Sequence, residues 1–379
     1  MSLVSVDEDT VQRGFSYEWA SGAIIPVTAV VLALIIGALI VRVSGSDPWN
    51  AYSQLFNGAF GSAYNISETL VAAIPLILAG LSVAFAFRAG LFNIGAQGQI
   101  LIAALLSAWV GYSLNLPGVI LIPLALIAGI LGGAAAAGLA GLLKAWRGAH
   151  EVITTIMMNY IALYLSQYLL ESTPLGTPGP MQQHAQPGFP GTPPLNASLP
   201  IIVPSSWVAN GRLHAGLIIA LVAALLFWFI LWRTTLGYKI RAVGLNPKAA
   251  AYGGINVGWN IVLAMLIAGA FAGLAAGVSL FGTEHQLTDT FLPTAGFDAI
   301  AVALLGRNTA PGVILGAILF GAFEHGGALM QSSAGISSHL IEILQGLIIF
   351  FIGADALVRY LARHGVIHLP RLQRKEAVA

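Results

Sequence analysis

The chemistry open to this chain rests on a few polar side chains set among apolar runs. The densest group is the stretch Phe87-Arg-Ala-Gly-Leu-Phe-Asn-Ile-Gly-Ala-Gln-Gly-Gln99, where Arg88, Asn93, Gln97 and Gln99 stand beside three glycines. Amides taken out of water need partners, so they face either protein or a solute route. A helix running from Gly95 would put Asn93 and Gln97, four residues apart, on one face. Two readings stay open. One is a polar pathway lining from Phe87, Arg88, Asn93, Gln97 and Gln99, joined by Asn159 further along. The other is a glycine-rich turn whose amides hold two helices together.

A second group lies in RTTLGYKIRAVGLNPKAAAYGGINVG, residues 233–258. Asn246 is placed to cap a helix with Pro247 as its first residue. A short Ala-rich helix through Ala250 and Ala251 then ends at Gly253-Gly254, where left-handed geometry is easy. With Arg241 and Gly244 just upstream, this small-residue helix suits a groove on a soluble partner; the plainer reading is an ordinary basic loop.

Ionisable groups at or near apolar runs are Glu68, Glu151, Asp298, Glu324, His325, His339, Glu342 and Asp355. Glu68 and Glu151 read as residues at helix N-terminal ends, where a carboxylate meets the favourable end of the dipole. Glu324, His325, His339 and Glu342 fall towards the outer ends of their runs and suggest an outer gate or docking rim. Glycines spaced by four, Gly269, Gly273 and Gly277, then Gly312 and Gly316, predict close helix packing. The sequence has no GxxxxGK[ST] phosphate loop, no HExxH, no GxSxG and no cysteine. Catalytic residues, a metal site and a cofactor are therefore not expected, and ATP hydrolysis must come from another polypeptide.

The elements that position these groups follow from composition. Hydrophobic residues make up 57% of the 379 and charged residues 8%, with 44 glycines and a mean hydropathy of +0.84. So few charges cannot cover a water-facing surface of this size, so lipid is the expected surroundings. A net charge of +1 gives no field for nucleic acid. The N-terminus is acidic and the apolar run after it is too long for a signal-peptide core, which predicts a retained first span. An all-α polytopic membrane protein of about ten helices is expected, with spans at 23–43, 67–87, 95–114, 117–143, 151–170, 215–232, 259–282, 297–306, 311–330 and 339–358. The eighth is too short to cross straight and reads as a broken or partly re-entrant segment. With the N-terminus inside, every one of the 16 Lys and Arg except Arg42 and Arg212 falls on the cytoplasmic side, which the positive-inside rule requires. The domain plan is a cytoplasmic segment 1–22, a transmembrane domain 23–358 and a basic cytoplasmic tail 359–379. Residues 171–214 form a Pro/Gly-rich extracytoplasmic loop, and 233–258 the main cytoplasmic loop. No soluble domain and no internal repeat are legible.

Four motifs in order carry a resemblance: AFRAGLFNIGAQGQ, GAHEVITTIMMNYIA, GYKIRAVGLNPKAAAYGGINV and GFDAIAVALLGRNTAPGVILGAILFG. Over roughly residues 65–355 the chain resembles the permease subunits of bacterial nucleoside-type ABC importers, within the ribose and branched-chain amino-acid permease superfamily. The family pattern commonly has Glu where this chain has Gln97. The resemblance implies an ABC importer permease-like fold in the bacterial plasma membrane with both termini cytoplasmic. It makes the helix around Arg241, Gly244, Asn246, Pro247, Ala250, Ala251 and Gly254 the coupling element for an ABC ATPase subunit. The other implied partners are a second, related permease subunit in a heterodimer, an extracytoplasmic substrate-binding protein or lipoprotein, and the lipid bilayer. The implied function is ATP-driven translocation of nucleosides by alternating access, with ribose or simple sugars next. An ion-coupled secondary transporter using the acidic and His residues is the rival from another class.

Overall fold

In the computed structural model the described backbone covers residues 8–363, apart from 173–176, 184–188, 205–207 and 338; side chains are described from 26 to 352, apart from those positions and 334. Among the described residues there are thirteen α-helices and no strand. Seven helices are long and apolar enough to cross a membrane, and Ala295–Leu305 and His339–Ile352 are shorter apolar helices. The chain divides into two compact units, Met1–Pro48 with Glu342–Ala379, and Trp49–Ile341. The first unit holds α1 (Glu8–Val43).

At the centre of the second unit is α3 (Ala63–Arg88), 78% of whose apolar window is buried. It packs against α7 (Gly216–Arg233), α10 (Val257–Ser279), α11 (Ala295–Leu305) and α12 (Ala310–Ala334). By contrast, only 22% of the window in α6 (Glu151–Leu170) is buried, so most of its apolar side chains face outwards. Glycine spacing sets the tightest contact: Gly129 and Gly133 of α5 (Gly118–Arg147) meet Gly273 and Gly269 of α10, and a Cβ on Gly269 or Gly273 would collide with the facing carbonyl. The second spaced pair acts alike, Gly312 closing on Gly306 and Gly316 on Val302.

Three elements differ from the sequence expectation. An amphipathic helix, α2 (Pro48–Phe60), precedes α3; it buries Ala51, Leu55 and Ala59 and exposes Trp49, Phe56 and Phe60. Its mixed composition hides it from a search for long apolar runs. Residues 233–258 are helical in two pieces, α8 (Thr235–Leu245) and α9 (Pro247–Tyr252). Glu68 is not at a helix end, because α3 starts five residues earlier, at Ala63. The short eighth span is the 11-residue α11, and the Pro/Gly-rich 171–214 loop, in its described residues, is irregular and pinned by bridges of Gly191 to Thr288 and Ile201 to His214.

Candidate functional site

The end of α3 fixes the depth of what lies around it. Arg88 donates from Nε to the Asn308 carbonyl at 2.9 Å and from Nη2 to the Arg307 carbonyl at 3.2 Å. The C-terminal end of α11 is therefore level with the end of α3. Its 11 residues put its first turn roughly 15 Å away along the helix axis. There it meets the first turn of α4 (Ala96–Ser113). Gln97 accepts from the Gly296 N–H at 2.8 Å and donates from Nε2 to the Leu292 carbonyl at 2.9 Å. A broken helix in lipid leaves backbone groups unpaired, each costly where no water reaches. One amide, with a donor and an acceptor, closes two of them. An ionised carboxylate at 97 could accept from Gly296 but could not donate to Leu292, so Gln fits the partners present.

The other amides serve the same turn. Asn93 and Gln99 are buried and pair reciprocally, at 3.1 and 2.9 Å, and Asn93 Oδ1 also accepts from Gly95 N–H at 3.1 Å. Asn159 of α6 accepts from Gly98 N–H at 2.8 Å and donates to the Ile94 carbonyl at 2.9 Å. The shared face expected for Asn93 and Gln97 is not formed. The helix starts at Ala96, so Asn93 lies before it and its partner is Gln99. Phe87 packs on Phe92, ring centroids 5.3 Å apart, and Phe92 is exposed.

In the 233–258 loop the expected cap is present. Asn246 accepts from Ala249 N–H at 3.1 Å, Pro247 opens α9, and Gly254 follows with φ +79°. Thr234 caps α8 in the same way, accepting from Gly237 N–H at 3.1 Å. Ala250 faces inward, only 6% exposed, so charge there would disturb the seating of α9 itself. The outward side carries two large apolar groups that sequence reasoning passed over, Leu245 at 88% and Tyr252 at 98% exposure. Their signal was present: an apolar residue on each flank of a small-residue helix.

At the other end of α3, Glu68 is buried and pairs with Arg212 of the 171–214 loop: its Oε2 accepts from both Nη2 and, at 3.0 Å, Nε, and its Oε1 from the Arg212 backbone N–H at 3.3 Å. His325 joins this group, its ring 6.3 Å from that of Tyr64. Glu324 precedes it on α12 within electrostatic range of Asp298, which accepts from Thr294 Oγ1 at 2.7 Å. His339 and Glu342 stand in the first turn of α13 (His339–Arg363). Beside Arg212, the buried His214 accepts at Nδ1 from Gly216 N–H at 3.1 Å, so Nε2 carries the proton and points at Thr283 Oγ1, 3.4 Å away. Among the described residues no three His, Asp or Glu gather as a metal site would need.

The family model described as the permease component of branched-chain amino acid transport systems matches residues 65–353. The guanosine ABC transporter permease protein NupP of Bacillus subtilis is 42% identical over 90% of this chain and 95% of its own length. The nucleoside ABC transporter permease protein NupB of Lactococcus lactis is 38% identical over 88% and 92%. The glucose ABC transporter permease protein TsgB13 of Haloferax volcanii is 35% identical over 86% of each. Bacillus subtilis and Lactococcus lactis each also hold a second such permease protein, for guanosine (NupQ) and nucleosides (NupC), more distant from this chain at 28% and 26% identity.

Proposed function

This chain belongs to the permease-component family of branched-chain amino acid transport systems, and from that premise we propose that it carries nucleosides through the plasma membrane as one half of an ATP-driven importer. It is a multi-pass membrane transport subunit and not an enzyme. The observation that carries the nucleoside reading is the 42% identity with a guanosine permease along nearly its whole length. The 35% identity with a glucose permease keeps sugars as the second reading. These named relatives are components of ABC transporters, which leaves the ion-coupled carrier without support.

The partner set is a second, related permease, a separate ATPase and an extracytoplasmic binding protein. The unequal pairs in two bacteria support a heterodimer in which this chain is the NupP-like member. The ATPase seats on α9, through Leu245, Ala251 and Tyr252, with Asn246, Pro247 and Gly254 shaping the turn. Solute passes beside the break held by Gln97 and Asn159, and the rim near Glu324 and His325 faces the binding protein. Both termini are cytoplasmic in this reading. Proteoliposomes holding both permeases, the ATPase and the binding protein test it. Labelled guanosine should accumulate only with ATP, unaffected by proton ionophores. Uptake of glucose but not nucleosides would overturn the cargo, and accumulation driven by this chain alone would overturn the ATP-driven reading.

A further inference from the structure

Two contacts join α8 to the end of α3. At the backbone, Gly244 lies against the Arg88–Gly90 turn: a Cβ on Gly244 would be 2.7 Å from the Ala89 carbonyl carbon, and one on Gly90 would be 2.9 Å from the Gly244 oxygen. Gly90 also has φ +73°, which an L side chain rarely adopts. At the side chains, Trp232 near the end of α7 holds two guanidinium groups against one ring. Arg241 of α8 is 4.1 Å from its centroid and Arg88 of α3 is 5.6 Å. Arg88 then reaches on to the carbonyls of Arg307 and Asn308, in the turn between α11 and α12.

Like charges meet here, since Arg241 and Arg307 both act on Arg88. What holds them together is the indole face and the carbonyl oxygens, attractions of modest size that depend on geometry. Four elements thus converge on Arg88. The glycine contact is backbone on backbone, with no flexible side chain to absorb a displacement of α8. α3 is also tied at its far end to the outer loop through Glu68 and Arg212.

We infer that the Arg88–Trp232–Arg241 stack, backed by Gly244 on Gly90, is the joint that passes movement of the cytoplasmic loop to α3 and to the α11–α12 turn. The inference rests on the reading of that loop as the ATPase seat. Arg88, grouped by sequence with the solute pathway, becomes a positioning residue for coupling. Trp232 acquires a role that no sequence motif gave it.

The test uses the complete transporter in proteoliposomes and measures solute moved per ATP hydrolysed, for Trp232→Ala and Trp232→Phe. The Trp232→Ala complex should retain its ATPase subunit and hydrolyse ATP, yet move about tenfold less solute per ATP than the unaltered complex. Trp232→Phe keeps an aromatic face and should recover most of the ratio. An unchanged ratio for Trp232→Ala overturns the joint, as does loss of the ATPase subunit in step with uptake. Should the unaltered complex prefer glucose to nucleosides, only the cargo reading fails, and the ratio is read with glucose.

Discussion

The break around Gln97 and the loop around Tyr252 place polarity in opposite ways. In the break, the amides are engaged within the chain: Gln97, Asn93, Gln99 and Asn159 all bond to turns or to each other. In the 233–258 loop, large apolar groups stand clear of the rest of the chain, with Leu245 and Tyr252 almost fully exposed. Buried polar groups that are satisfied mark a finished structure. Exposed apolar groups beside a well-capped helix mark a surface made for something else. The first region should fail by misfolding when altered, and the second by losing a partner.

Gln97→Leu should sharpen that division most. It strands the Leu292 carbonyl and the Gly296 N–H, at about 1–3 kcal/mol each. Thermal unfolding in detergent should show a marked loss of stability, while the fraction that stays folded still binds the ATPase. An unchanged melting temperature would show that the clasp is not needed. Next comes Tyr252→Asp, which should weaken ATPase copurification about 30-fold and leave the melting temperature of the chain unaltered. Equal loss of stability in both variants would erase the contrast.

The 171–214 loop gives a pH prediction of intermediate size. Burial first, then the charges on His285 and Arg212, pushes His214 down to about 4. An unfolded His titrates near 6.5, so the native state favours the neutral ring. Its contribution is complete above pH ~6.5 and is lost as pH falls towards ~4, by up to about 3 kcal/mol, because the unfolded chain then binds more protons. Stability measured from pH 7 to 4 should fall in the parent chain and less steeply in His214→Gln; parallel curves would contradict the assignment. Smallest should be Lys144→Met. Its pairing with Glu151 joins two groups that both keep some solvent contact, 30% and 11% by side chain, and such pairs contribute about 1 kcal/mol or less. A melting temperature within a few degrees of the parent is expected.

Much of the architecture was legible because membrane physics leaves strong marks: long apolar runs, glycines spaced by four, a short eighth span. The α9 turn was legible from Asn246, Pro247 and Gly254, since caps are local chemistry. The partners of Gln97 lie 195 and 199 residues away, and those of Glu68 lie 144 away, so they depend on topology that spacing does not reveal. Helices α2 and α8 were missed because neither carries a continuous apolar run. Ala250, which the sequence groups with the coupling residues, faces inward; a run of three alanines does not show which one faces in.

The seat of the ATPase is the central claim, and the absence of cysteine from the chain makes it directly measurable. Lys248→Cys, on the exposed side of α9, should cross-link to the ATPase subunit in transporting membranes through a short bifunctional reagent. Asn210→Cys in the outer loop should instead react with an impermeant maleimide added outside. Labelling of position 248 from outside, or no cross-link to the ATPase in a complex that is transporting, would contradict the account.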